Sequence, residues 1–228
     1  ICEENGLYLI EDSAQAFGAS DHNNQKAGSF SSAASFSMHP LKNFAVYGDG
    51  GFVSTNDSNL AENIRLLRNH GLKNRDESII WGYNSRLDEL QASFALVKLK
   101  YIDNWTIKYS NIAKKYTEGL SDLIKKPSYR EKFNDVYHNY VILVKKECRD
   151  LIMARLLEMG IDTKIHYPIP LHLQKCASNL MYKEGDIQNA ELLAKQMISL
   201  PIYPGLEENE LDYIIQNVNK VVEELYGN

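Results

Sequence analysis

Short apolar runs separated by polar or glycine-marked breaks organise the first 60 residues, and their lengths predict strands rather than helices. Leu7-Tyr8-Leu9-Ile10 runs into Glu11-Asp12 and reads as a strand that ends in a carboxylate. A second apolar run ends at Ser37. A glycine-rich turn, Gly48-Asp49-Gly50-Gly51, leads into a third, Phe52-Val53-Ser54-Thr55. Asp57 or Ser58 then caps a helix to about Asn69, with Leu60, Ile64 and Leu67 on one face and Gly71 at its end. Residues 72–84 have no period and read as a loop. Ser85 and Asp88 approximate a capping box for one long helix, which carries Leu87, Leu90, Phe94, Val97, Ile102 and Trp105 and runs to about Leu120.

The pattern changes near residue 121. Tyr137 to Val144 reads as a strand, Arg149 to Met159 as a helix ended by Gly160, Asp162 to His166 as a strand and Asn189 to Ile198 as a helix. A terminal helix from Glu208 to Leu225 aligns Leu211, Ile214, Ile215, Val218 and Val222. The expectation is an α/β part over residues 1–120, including the linking helix, followed by a small α+β domain over 121–228. Three strands are few for a parallel sheet covered on both faces. Ile1 to Gly6 looks like a helix end capped by Gly6. Both suggest the C-terminal part of a longer protein.

Composition narrows the functions. Hydrophobic content of 44% and charged content of 24% are ordinary for a globular protein. The net charge of -5 argues against a nucleic-acid partner, whose phosphates want a basic surface. Cys2, Cys148 and Cys176 have no metal-ligand spacing, so no metal site is expected, and three cysteines fit a reducing, cytoplasmic compartment. No apolar run reaches the ~18 residues of a membrane helix, no signal peptide is visible, and the glycines form no dinucleotide-binding pattern.

The chemistry lies in residues 10–51. A lysine, Lys42, follows the second strand in a loop behind Pro40, where an amine nucleophile is well placed. A lone loop lysine is ordinarily solvated surface, and an aspartate at a strand end is commonly a helix cap. Their order is what carries weight: a carboxylate, a serine and a lysine at the ends of neighbouring strands fit a pyridoxal phosphate site. Asp12 would face the pyridinium nitrogen, Ser37 the phosphate, and Lys42 would form the Schiff base. At about 4 Å and an effective dielectric near 20, the carboxylate–pyridinium pair gains roughly 4 kcal/mol, about 3 pKa units before desolvation. Lys42, as general base and acid, needs a pKa below its reference of about 10.4, and burial would lower it.

The surroundings resemble a known family. Ile10-Glu11-Asp12-Ser13-Ala14-Gln15, Gly28-Ser29-Phe30, Ser35 to Asn43, Gly48 to Gly51, Gly82 to Ala92, Ile165 to Gln174 and Ser199 to Pro204 look like the successive motifs of the DegT/DnrJ/EryC1/StrS aminotransferases. The resemblance implies a fold-type I, aspartate aminotransferase-like, PLP-dependent transferase. It implies pyridoxal 5'-phosphate as cofactor, pyridoxamine phosphate as intermediate, and a homodimer with shared active sites acting on nucleotide-sugar and amino-acid substrates. It implies that Gln15 contacts the cofactor ring region and that Asn84 reaches the partner's phosphate. Arg86 would help with anionic groups, and His166 and Tyr167 would border the sugar site. His39 varies within the family and reads as a pocket wall. Lys42 favours aminotransfer, from glutamate, over the family's dehydratases, in which histidine takes its place. Gly48-Asp49-Gly50-Gly51 and the stretch from Asn84 to Gln91 look closer to the branch acting on dTDP-linked 3-keto-6-deoxy sugars than to the 4-keto branch. The rival outside enzymes is a non-catalytic, PLP-binding regulatory homologue.

Overall fold

The computed structural model describes residues 1–130 and 132–227. The chain is α/β and forms two compact units, Ile1–Ile107 with Arg130–His138, and Lys108–Tyr129 with Asn139–Asn228.

The first unit is built on a three-stranded sheet, β1 (Ile10–Asp12), β2 (Ala33–Ser37) and β3 (Gly51–Ser54), in that spatial order. β1 runs parallel to β2, and β2 antiparallel to β3. Side chains alternate across a strand, so the register sorts this sheet into two faces. Phe36 lies opposite Phe52, their rings stacked at 4.6 Å, and the Phe17 ring meets both edge-on. Below them Met38, Phe44, Val46, Ala95 and Ile102 form a buried cluster with Phe17, Leu87 and Trp105 packed against it. Asp12, opposite Ser35, falls on the other face, as does Ser37 two residues on.

Helix α1 (Ser58–Leu67) begins where its cap predicts: Asp57 Oδ1 accepts from the amides of Asn59 and Leu60 at 2.8 and 3.1 Å. Residues 72–84 form a loop whose two limbs touch. Gly71, at φ +71°, leaves no room for a side chain, since a Cβ there would lie 1.7 Å from the Ile80 carbonyl oxygen.

The expected single helix from Ser85 to Leu120 is two helices, α2 (Glu89–Leu99) and α3 (Ile102–Gly119). Lys100 and Tyr101 donate to Val97 and Lys98, tightening the last turn of α2 to three-residue closures, and the α-helical spacing resumes with Trp105 N–H on Tyr101. Nor is there a capping box at Ser85: α2 starts at Glu89, and the Asp88 side chain makes no capping bond. Residues 13–19 are successive turns, Ala16 N–H to Ser13 and Ala19 N–H to Ala16.

The second unit pairs β4 (Tyr140–Leu143) antiparallel with β5 (Met197–Leu200) under α4 (Arg149–Glu158), α5 (Gln188–Gln196) and α6 (Glu208–Tyr226). α4 packs on α6. Tyr140, Ile142, Ile152, Leu156, Ile198, Val218, Val221 and Val222 are fully buried. Glu207 and Glu210 form a reciprocal capping box at the start of α6. Two expectations fail here. The helix expected over Asn189–Ile198 stops at Gln196, because Met197 and Ile198 are recruited to pair with Leu143 and Ile142. Among the described residues Asp162 to His166 pairs only through Lys164, which exchanges backbone hydrogen bonds with Ser199; Pro168 and Pro170 follow and supply no N–H for a ladder. Among the described residues no helix is long and apolar enough to cross a membrane.

Candidate active site

The carboxyl ends of the parallel strands β1 and β2 bring Asp12 and Ser37 to one edge and one face of the sheet, the usual location for a ligand in such folds. Asp12 is exposed; its Oδ1 accepts from Ala14 N–H at 3.1 Å. Ser37 Oγ accepts from His39 N–H at 3.2 Å, which leaves its own hydroxyl proton to donate elsewhere. From Ser37 the chain enters a turn with Pro40, closed by Lys42 N–H on the His39 carbonyl at 2.8 Å. Leu41 N–H donates to His39 Nδ1 at 3.2 Å, so the imidazole is held by the turn it starts. Lys42 is half-buried, and no ion pair among the described residues includes it. Gln15 is exposed in the turns after Asp12.

The segment behind Lys42 is fixed from several sides. Asn43 to Val46 are buried. Asn43 Nδ2 donates to the Val136 carbonyl at 2.7 Å, and its Oδ1 meets His138 Nδ1 at 3.1 Å. Gln91 on α2 bonds both the amide and the carbonyl of Tyr47, at 2.8 and 3.3 Å, and Lys98 Nζ reaches the Ala45 carbonyl at 2.8 Å. None of these clamps was foreseen from the sequence, although Gln91 sits in a motif singled out there.

Beneath the site Glu11 organises the loop between β1 and β2. Its carboxylate accepts from Gly28 N–H at 2.7 Å, Phe30 N–H at 2.9 Å and Ser31 Oγ at 2.8 Å. Burial pushes this carboxyl up, but the hydrogen bonds from Gly28, Ser31 and Phe30 outweigh it, and its pKa lies below the ordinary value.

The other candidates stand apart from this trio in their contacts. Asn84 is exposed and bridges through its backbone to Asn69, whose Oδ1 also accepts from Arg86 Nη1 at 3.2 Å. His166 and Tyr167 belong to the second unit. His166 Nδ1 meets Ser199 Oγ at 2.8 Å, and burial, followed by the nearby Lys164 charge, lowers its pKa. Tyr167 is exposed.

The donor set fits pyridoxal phosphate: a carboxylate and a hydroxyl with a proton to donate share one sheet face, with an amine one turn beyond that is unpaired among the described residues. Among the described residues no cluster of three metal-ligating side chains occurs.

A 42% identical relative from Geobacillus stearothermophilus bears the name "Pleiotropic regulatory protein"; the match covers 96% of this chain and 59% of that protein. A Streptomyces venezuelae dTDP-3-amino-3,4,6-trideoxy-alpha-D-glucose transaminase is 38% identical over 98% of this chain and 59% of its own length. The crystal structure of S. venezuelae DesV in complex with a ketimine intermediate superposes with a TM-score of 0.92 at 38% identity, covering 97% of this chain and 60% of that one. The chain thus spans about three fifths of the length of the relatives it matches. The family model described as the DegT/DnrJ/EryC1/StrS aminotransferase family matches residues 1–219, and the chain belongs to that family.

Proposed function

We propose that the protein is a nucleotide-sugar aminotransferase, carrying an amino group from an amino acid, L-glutamate, to a keto-deoxy sugar on a nucleotide. The observation that carries this reading is the placement of Asp12 and Ser37 at the carboxyl ends of one sheet face, with Lys42 in the turn that follows Ser37 and the segment behind it braced. When bound there, pyridoxal 5'-phosphate supplies the electron sink and holds the amino group between the two substrates. Asp12 keeps the ring nitrogen protonated, Ser37 donates to the phosphate and Gln15 borders the ring. Lys42 Nζ would take the proton from the amino acid's α-carbon and return it on the far side of the shared nitrogen, the 1,3-proton shift of transamination. Arg86, His166 and Tyr167 contact substrate, and Asn84 reaches the phosphate of a second copy in a homodimer. The sugar is a dTDP-linked 3-keto-6-deoxyhexose; the named transaminases at 38% identity support carbon 3 over carbon 4. The cytoplasm, where nucleotide sugars are made, is the compartment.

The Geobacillus relative's name motivates a second reading, a cofactor-binding regulator without turnover. One experiment separates them. Borohydride reduction and peptide mapping should place a pyridoxyl label on Lys42, and glutamate with the 3-keto sugar should turn over. Lys42→Ala should lose the label and about 10⁴-fold or more in rate, since nucleophile and proton carrier vanish together. A label without turnover favours the regulator; a label on another lysine removes the site.

A further inference from the structure

The second unit contains a buried polar pair that the proposed chemistry does not use. His172 Nε2 lies 3.0 Å from Glu191 Oε1, and the two side chains are only 6% and 8% exposed. Glu191, on α5, accepts more than this bond. Both its oxygens take Gly185 N–H at 2.9 Å, and Ile187 N–H approaches Oε1 at 3.3 Å. One carboxylate therefore joins three pieces of chain: the turn at 171–173, the loop at 183–187 and α5. A buried carboxylate is costly unless its oxygens are satisfied, and here four contacts satisfy it.

These pieces wall a cleft of about 1060 Å³, whose lining includes Tyr167, His172, Tyr182, Ile187 and Met197. Tyr167 sits on a short strap. One end is pinned to β5 by His166 on Ser199, and the other to α5 by His172 on Glu191. Between the pins Pro168 and Pro170 fix two φ angles, Leu173 N–H donates to the Pro170 carbonyl at 3.0 Å, and Gln174 Nε2 donates to the Ile169 carbonyl at 3.3 Å. A stiff strap held at both ends has little freedom, so a displacement of the His172 pin is passed back through Pro170 and Pro168 to Tyr167 beside the other pin.

We propose that Glu191 is a positioning residue for the substrate: through His172 it sets the Tyr167 ring, and through the Gly185 and Ile187 amides it sets another stretch of the same cleft. This rests on the reading of Tyr167 as a substrate contact. Glu191 itself touches no reacting atom.

The test uses the native full chain with Glu191→Ala, Glu191→Gln and His172→Phe. Ring-labelled tyrosine NMR, with Tyr167 assigned through Tyr167→Phe, reports the ring; amide exchange at Gly185 and Ile187 reports the loop. Glu191→Ala should shift the Tyr167 resonance and deprotect both amides. It should raise KM for the sugar nucleotide about tenfold to a hundredfold, with cofactor affinity and KM for the amino acid unchanged. His172→Phe should shift Tyr167 and raise the same KM while leaving the amides protected. Glu191→Gln keeps an acceptor for His172 but turns an amino group toward Gly185, so it should deprotect the loop with less effect on Tyr167. If Glu191→Ala does not fold, the His172→Phe result decides. A Tyr167 resonance unmoved in every folded variant overturns the proposal, as does a uniform loss of sugar, amino-acid and cofactor binding. Wild-type protein that never turns over a sugar, with Tyr167 still moving on command of Glu191, leaves the positioning role standing and removes the functional reading instead.

Discussion

The two sheets of this chain meet opposite conditions. In the second unit Tyr140, Ile142 and Ile198 are 0% exposed, and α4 packs against β5. In the first, Ile10 at the edge of the sheet is 71% exposed, and Leu7, Tyr8 and Leu9 beside it are open as well. Both sheets are written in apolar residues, so composition does not explain the contrast. The sealed sheet carries none of the candidate cofactor residues. The open one carries Asp12 and Ser37 at its strand ends and leads into Lys42. Stability and the candidate site are thus divided: one unit closes a core on itself, while the other holds the candidate residues at strand ends, with the loop after β1 and residues 43–47 behind Lys42 braced by hydrogen bonds from Glu11, Asn43, Gln91 and Lys98.

The comparison is broken most sharply by cutting the sealed core. Leu156 on α4 is fully buried, and Leu156→Ala should cost about 2–5 kcal/mol of unfolding free energy, transfer and cavity together. Amide exchange should show the loss in α4, α6 and β5, with β2 protection retained. A loss under about 1 kcal/mol would mean that this core is not what holds the second unit.

A smaller effect is expected where the open unit is held by polar contacts. Glu11→Ala leaves the Gly28 and Phe30 amides without their acceptor and should cost about 1–3 kcal/mol, visible as faster exchange over residues 27–33. The two units should also part in their response to acid. The lowered pKa of Glu11 means that its contribution is complete above the ordinary carboxylate value and drains as pH falls through the lower folded value, so the first unit weakens below about pH 4. His166 is lowered by burial and by Lys164, so the unfolded chain binds its proton first. Its contribution is complete above the ordinary histidine value of about 6.5 and is lost as pH falls below it. Exchange in the β5 region should accelerate near pH 6, well before the Glu11 loop responds. His166→Asn should remove that early step, and a first unit that softened at higher pH than the second would reverse the assignment.

What the sequence made legible follows the same division between local and distant causes. The cap at Asp57, the α6 face and the strand ends at Asp12 and Ser37 follow from neighbours in the chain, and the structure has them. The break between α2 and α3 has no glycine or proline to mark it; it lies beside Lys98, whose ammonium is committed to the Ala45 carbonyl 53 positions away. Met197 suits a helix by propensity and Ile198 a strand, and pairing with β4 decides for the strand. The site divides likewise. Lys42 and its turn are local, but the brace from Gln91 spans 44 positions and that from Asn43 to Val136 spans 93. Side chains that act on distant backbone leave no periodic trace. The His172–Glu191 pair was missed for the same reason: each residue is unremarkable until α5 folds over the strap.

The smallest expected effect tests whether the open edge is open by nature. Ile10 pairs with Ala33 through its backbone, and its side chain, 71% exposed, buries little against these 228 residues. Ile10→Thr keeps the β-branch that suits a strand and removes apolar surface. An exposed position of this kind should shift stability by no more than about 0.5 kcal/mol in either direction. The same change should reduce self-association, because an apolar edge strand with unpaired amides and carbonyls is a template for another chain. Denaturation of the 228-residue chain beside sedimentation at several concentrations reads both quantities. A stability loss above about 1.5 kcal/mol would show that Ile10 is covered in solution and that the contrast between the two sheets is one of partners rather than of design. Unchanged stability with weaker association would place the stickiness of the first unit on the edge that borders its chemistry.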